Sequence, residues 1–147
     1  MLTRLTIITF AAILITGCSS TGDINQNKIA TKTVSEVSSS FIEYPDIQDL
    51  VSSFEKKHVN SKYSKSIVEV SGEVIAFSLT EEGLYLVTIR DNKSDVICIF
   101  DDSLANKLGT NQDVYKGATI TVRGQCHASG LFSSNSFSLD GCRLVSN

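Results

Sequence analysis

Hydrophobic positions along this chain change their period twice, and each change marks an element. From Leu5 to Ile15 the residues are apolar, broken only by Thr6 and Thr9. After Cys18 the apolar side chains stand singly, at Ile24, Ile29, Val34 and Val37, among Ser, Thr, Asn and Lys. Ile47, Leu50, Val51 and Phe54 then recur at i, i+3, i+4 and i+7, one stripe of an amphipathic helix. From Ile67 onward the period is two, the alternation of half-buried strands.

The helix opens at Pro45-Asp46, with Tyr44 extended ahead of the proline. Asp46 and Asp49 in its first turn and Lys56-Lys57 in its last complement the helix dipole, and His58-Val59-Asn60 ends it. A polar connection at 60–66 leads into a long strand from Ile67 to Leu79. Val68, Val70, Gly72 and Val74 share one face of that strand. The phase then slips, so that Ile75, Phe77 and Leu79 take the other face, which predicts a bulge or sharp coil near the glycine. Glu81-Glu82-Gly83 turns the chain. Further strands are predicted at 84–89, 95–100, 118–126 and 137–145, the last rephased at Gly141. Between the third and fourth strands, Asp102-Ser103 caps a short helix that stops at Gly109. A long coiled first strand, a three-strand meander, a helix and a closing hairpin is the order of an OB-fold. The predicted fold class is therefore mainly β: a five-stranded OB-fold barrel with an N-terminal helix and a short helix between strands three and four. Another small antiparallel barrel or sandwich is the alternative.

The N-terminus reads as an address. Arg4 precedes an apolar run of about a dozen residues, the length of a signal-peptide core and short of the ~20 that a transmembrane helix needs. The run closes with Ile15-Thr16-Gly17-Cys18, which resembles a bacterial lipobox: an aliphatic residue, two small residues and the cysteine. Cys18 is the candidate lipidation site. Its thiol would take a diacylglycerol, and each buried lipid CH₂ adds about 0.8 kcal/mol of membrane affinity. An ordinary signal peptide and an uncleaved anchor are the alternatives. Ser19 rather than Asp follows the cysteine, which in a Gram-negative envelope favours the outer membrane, facing the periplasm. The division expected is 1–17 lipoprotein signal peptide, 18–43 flexible tether, 44–61 N-terminal helix and 62–147 OB-fold domain. The tether follows from apolar residues too sparse to offset chain entropy. A strand at 33–41 is its alternative.

Several short motifs carry a family resemblance. They are Lys62-Tyr63; Val70-Ser71-Gly72-Glu73-Val74; Val96-Ile97-Cys98-Ile99-Phe100; Lys116-Gly117 running through Val122-Arg123-Gly124-Gln125-Cys126; and Asp140-Gly141-Cys142. Together, over about residues 45–147, they resemble the tRNA_anti-like family of bacterial OB-fold proteins. Gly141 between Asp140 and Cys142 is a small departure that fits a bulge. The resemblance implies the fold. It does not imply tRNA binding and carries no catalytic residues.

With Cys18 lipidated, Cys98, Cys126 and Cys142 remain, in a compartment where a disulfide persists. Cys126 and Cys142 lie on the last two strands, which pair antiparallel in this fold. A turn near Ser133-Ser134 sets them opposite each other, so Cys126–Cys142 is the expected disulfide. Cys98–Cys142 is the competitor, and three buried thiols are the remaining reading. Cys98, Cys126, His127 and Cys142 lack the spacing of a zinc site.

Composition narrows the function classes. The chain holds 13 basic and 16 acidic residues, a formal charge of −3, with no basic block. Residues 62–147 carry 8 basic and 10 acidic residues and no Trp, which argues against the basic groove and stacking aromatics of a single-strand nucleic-acid binder. No GxSxG, HExxH, GxGxxG or Walker motif occurs, and adjacent Asp101-Asp102 reads as a turn or cap. The expectation is a non-enzymatic envelope lipoprotein without a cofactor. Its partners are the membrane, through the N-terminal lipid, and an envelope protein, peptide or glycan on the barrel. Tyr85, Arg90 and Arg123 are candidate outward contacts. A structural lipoprotein assembling with an envelope protein is the alternative.

Overall fold

The computed structural model describes residues 24–57, 60–109, 112–128 and 137–145. In chain order these form α1 (Ile24–Glu36), a 3₁₀ turn (Ser39–Phe41), β1 (Ile42–Glu43), α2 (Ile47–Lys57), β2 (Ile67–Leu79), β3 (Tyr85–Asp91), β4 (Ser94–Phe100), a short 3₁₀ helix (Asp102–Lys107), β5 (Thr119–His127) and β6 (Ser138–Leu144).

The strands run in the order β1-β2-β3-β4-β6-β5, and β2 also pairs with β5, which closes the barrel. The length of β2 makes closure possible. Its first half, from Ile67 to Glu73, pairs with β5, and its second half, from Glu73 to Leu79, pairs with β3. The one parallel pairing inside the barrel joins β4 to β6, with Cys98 beside Leu139. This is the five-stranded, mainly β OB-type barrel that the element order predicts. The two-residue β1 adds a sixth strand, parallel to the start of β2.

Val68, Val70, Val74, Val87, Ile89, Val96, Phe100, Val122 and Leu139 fill the interior. The phase slip in β2 is a bulge: Ile75 stands unpaired between Val74, opposite Ile89, and Ala76, opposite Thr88. This extra residue returns Phe77 and Leu79 to the core-facing side of Val68, Val70 and Val74, rather than to the other face that the alternation predicts. A second bulge falls where the sequence places it. Gly141 and Cys142 together oppose Gly124, between the pairs Arg123–Arg143 and Gln125–Asp140. Gly141 takes a left-handed backbone, φ +62°, the usual conformation of a bulge glycine.

The stripe on α2 packs as its spacing demands. Ile47, Leu50, Val51 and Phe54 are buried, and Phe54 stacks on Phe137 with ring centroids 4.6 Å apart. Asp46 caps the helix by accepting from the Asp49 amide at 2.6 Å. The helix runs from Ile47 to Lys57, inside the expected 44–61, and His58 lies outside the described residues. The short helix after β4 is 3₁₀ and is capped by Asp101, which accepts from the Ser103 amide at 3.0 Å. The expected cap, Asp102-Ser103, is one residue late.

Residues 24–43 overturn the flexible tether. They hold α1, the 3₁₀ turn and β1, and α1 lies against β6 and β5. Asn27, Ala30 and Val34, at i, i+3 and i+7, are its buried face. Val34 joins Ile42 and Ile67 in a small cluster beside the main core. Two polar side chains complete the contact. The Asn27 side-chain oxygen accepts from the Gly141 amide at 2.7 Å, and the Gln26 amide donates to Asp140 at 2.8 Å. A sparse apolar pattern therefore still gives an ordered helix, because hydrogen bonds to a barrel strand supply what hydrophobic area does not. The alternative strand at 33–41 is also absent.

One contact in this shell makes stability pH-dependent. The Tyr63 hydroxyl donates to Asp49 at 2.5 Å and Lys62 lies 3.1 Å from the same oxygen. These two partners, Tyr63 first, hold the Asp49 carboxyl below its ordinary range. A lowered carboxyl pKa stabilises the fold above the unfolded value, near 3.9, and that contribution disappears as pH falls through the folded value. Tyr63→Phe should therefore lower the melting temperature at pH 7 and lose most of that effect in acid below the carboxylate range. An equal loss at both pH values would remove the hydrogen bond as the cause.

Candidate functional site

The outer face of β2, β3 and β4 is the surface that OB barrels present to ligands. Here it is a lattice of compensated charges. Arg90 faces Glu73 and Asp95 across the two strand pairs, and its guanidinium grips Asp95 at 2.5 and 2.7 Å. That hydrogen-bonded pairing lowers the Asp95 pKa and raises that of Arg90. Arg123 binds Glu69 at 2.9 and 3.2 Å, and the Ser71 and Thr121 hydroxyls meet at 2.7 Å. Arg90 and Arg123, the sequence candidates for outward contacts, are thus already engaged by carboxylates of neighbouring strands.

The hairpin end of β2 and β3 has a different chemistry. Register puts Phe77 opposite Val87 and Leu79 opposite Tyr85, and Tyr85 opposite Phe100. Val87 and Phe100 are fully buried, so this is the core-facing side of the strands. The partnership with β5 ends at Glu73, however, and beyond it the hairpin projects past the barrel. Phe77 and Leu79 are consequently 49 % and 59 % exposed. Tyr85 is half-buried and packs against the core edge.

The three thiols of the described residues are free and buried, and the expected Cys126–Cys142 disulfide is not formed. Register explains why. Cys126 faces Leu139, while Cys142 sits beside Gly124 after the bulge. The expected turn near Ser133-Ser134 would pair Cys126 with Cys142, but the ladder that begins at His127–Ser138 brings Leu139 to Cys126 before the bulge is reached. Gly124 makes room for the thiol: a Cβ there would stand 2.8 Å from the Cys142 sulfur. The Cys142 thiol donates to the Leu139 carbonyl at 3.1 Å. Burial, then its contact with Cys98, pushes Cys142 well above the usual thiol range. Burial, then the charges of Glu43 and Asp140, does the same for Cys126. Both stay protonated at neutral pH, and the thiolate is the reactive form. Because all three are buried, Cys98, Cys126 and Cys142 should ignore a thiol reagent in the native protein and all three should react once guanidinium unfolds it. A count of one would restore a disulfide.

Asp140 is the polar residue that sequence reasoning missed. It is 5 % exposed and accepts from Ser138 at 3.0 Å as well as from Gln26. The second N–H of the Gln26 amide reaches His127 Nδ1 at 2.8 Å. This assigns the imidazole proton to Nε2 and ties α1 to both strands of the last hairpin. At the other end of α1, Val34 and Ser35 join Arg123, Arg143, Leu144 and Val145 around an open cleft of about 280 Å³. Arg123 and Arg143 face each other across β5 and β6, and Arg143 is balanced by Asp101 at 3.4 Å. Cys18, the expected lipidation site, lies outside the described residues.

A family model for tRNA_anti-like proteins matches residues 1–135. The chain belongs to the tRNA_anti-like family. The match takes in the N-terminal segment and α1, and it stops short of β6. This corrects the extent read from the motifs: Asp140-Gly141-Cys142 is outside it. A search of curated proteins gave no match. Among solved structures, yeast Stn1 and Ten1 is similar at 15 % identity and a TM-score of 0.48, over 80 % of this chain and 71 % of that one. The S. pombe Stn1–Ten1 complex is similar at 14 % identity and a TM-score of 0.39, over 55 % of this chain and 59 % of that one.

Proposed function

We propose that this family member is a cell-envelope lipoprotein, held on the membrane through Cys18, whose OB barrel is a binding module for a protein or peptide partner. The anchor rests on the Ile15-Thr16-Gly17-Cys18 run. The choice of partner rests on one observation, the exposed apolar end of the β2–β3 hairpin at Phe77 and Leu79. Large apolar side chains at a projecting strand end favour a surface that also buries carbon. Nucleic acid is disfavoured, because phosphates need unpaired cations and the arginines of this face are bound to carboxylates. Nothing in this reading calls for catalysis or a cofactor, and Ser19 after the cysteine favours the outer membrane if the envelope is Gram-negative.

Two measurements test it. Cys18→Ala should move the protein from the membrane to the soluble fraction or leave it unprocessed. An unchanged mature mass and partition would sink the anchor. A photo-crosslinking residue at position 77 of the full chain, irradiated in intact cells, should trap one protein species, and the adduct should fall severalfold in the Leu79→Ser background. Trapping of glycan or nucleic acid, or an adduct indifferent to Leu79, would overturn the assignment of partner.

A further inference from the structure

The docking of α1 changes what a lipid on Cys18 would do. A flexible stretch from 18 to 43 would let the barrel wander. Only six positions separate Cys18 from Ile24, where α1 begins, and six residues span at most about 20–22 Å. From Ile24 onward the chain is fixed to the barrel through Gln26, Asn27, Ala30 and Val34. The anchored end of α1 therefore stays close to the bilayer and cannot swing away independently of the domain.

The face that α1 turns outward suits such a surface. Opposite its buried side stand Lys28, Ile29 and Lys32, all exposed, Ile29 by 69 %. The two lysines are one helical turn apart, and Ile29 lies beside them. The only acidic residue on α1 is Glu36, at its far end. Basic side chains with an adjacent aliphatic group are what the headgroup region of an anionic membrane accepts.

The topology then sets what points away. The first turn of α1 contacts His127 and Asp140, at the end of the barrel where β2 begins, since Ile67 pairs with Gln125. The β2–β3 hairpin lies at the opposite end of β2, up to about 40 Å along the strand. We propose that the outer face of α1, centred on Lys28, Ile29 and Lys32, rests on the anionic bilayer that holds the Cys18 lipid and directs the Phe77–Leu79 end away from it. The proposal rests on Cys18 being the anchor.

The test uses the lipidated protein reconstituted into vesicles of phosphatidylcholine with phosphatidylglycerol. Cys98, Cys126 and Cys142 are buried and the Cys18 thiol carries the lipid, so single cysteines introduced as I29C, K32C, E82C and K93C can carry a nitroxide. Labels at 29 and 32 should lose accessibility to a water-soluble nickel complex severalfold relative to detergent solution, while labels at 82 and 93 keep theirs. In K28E carrying the I29C label, that protection should largely disappear. Equal accessibility at all four positions, or protection that survives the charge reversal, would overturn the orientation. Mass spectrometry of the same preparation reads the anchor separately. A Cys18 without lipid refutes the anchor, whereas a lipidated Cys18 with equal accessibility refutes the orientation alone.

Discussion

Gly141→Ala is expected to lower the melting temperature by about 10 °C or more and to free α1 from the barrel, at a cost of about 2–5 kcal/mol. Two effects coincide at this position. The residue holds φ +62°, where a side chain costs roughly 1–2 kcal/mol. A Cβ there would also stand 2.2 Å from the Thr31 amide nitrogen and 2.3 Å from the Ala30 carbonyl carbon. Both are helix backbone, so no rotamer change relieves the clash, and overpacking of this kind costs typically 1–3 kcal/mol. Moving the helix outward breaks the 2.7 Å bond from the Gly141 amide to Asn27. Hydrogen exchange should show α1 amides losing protection while β2 and β5 keep theirs. The control is Gly83→Ala. Gly83 also has positive φ, +85°, but a Cβ there meets nothing within 4 Å, so it should cost only the backbone strain. A chain beginning at Tyr44 sets the limit: the Gly141 variant should approach its stability. Equal losses at Gly141 and Gly83, with α1 still protected, would mean that the close approach is not what demands glycine.

Phe54→Ala is expected to cost about 3–5 kcal/mol, a large share of the roughly 5–15 kcal/mol that holds a domain together. Phe54 is 5 % exposed and its partner Phe137 4 %. Their rings are 11° from parallel, and such a pair adds about 0.5–1.5 kcal/mol beyond the area it buries. The loss falls on the joint between α2 and the start of β6, so unfolding should remain one cooperative step at a lower denaturant midpoint. Phe77→Ala provides the comparison within one residue type. At 49 % exposure, Phe77 should contribute within about 0.5 kcal/mol, the range of surface substitutions. Comparable losses at the two positions would show that the hairpin end is packed rather than available to a partner.

The legible parts of this fold are those in which one face of an element meets a hydrophobic core. The stripe Ile47, Leu50, Val51, Phe54 marks α2, and the alternation of Val68, Val70 and Val74 marks β2, whose ends at Ile67 and Leu79 agree with the structure. Burial imposes a period on such segments, and the period can be read without coordinates. In α1 the buried positions are Asn27, Ala30 and Val34, one polar, one small and one β-branched, while the larger Ile29 faces outward. No apolar stripe results, although the i, i+3, i+7 spacing was present. What holds α1 is a set of directed hydrogen bonds to Asp140, His127 and Gly141, residues more than a hundred positions away along the chain.

By itself the sequence determined the order of helix and strands, the mainly β barrel and the bulge at Gly141, because local pattern and the backbone freedom of glycine are properties of neighbouring residues. The tertiary structure alone decided three other matters. The docking of α1 makes 24–43 part of the fold. The end of the β5 partnership at Glu73 leaves Phe77 and Leu79 uncovered, although their side of the strand faces inward. The register of β5 against β6, begun at His127–Ser138, puts Leu139 opposite Cys126, and the one-residue excess beyond Asp140 turns Cys142 toward Gly124. Each depends on which strand ends where against another, and register between distant segments is set by the packing of the whole barrel.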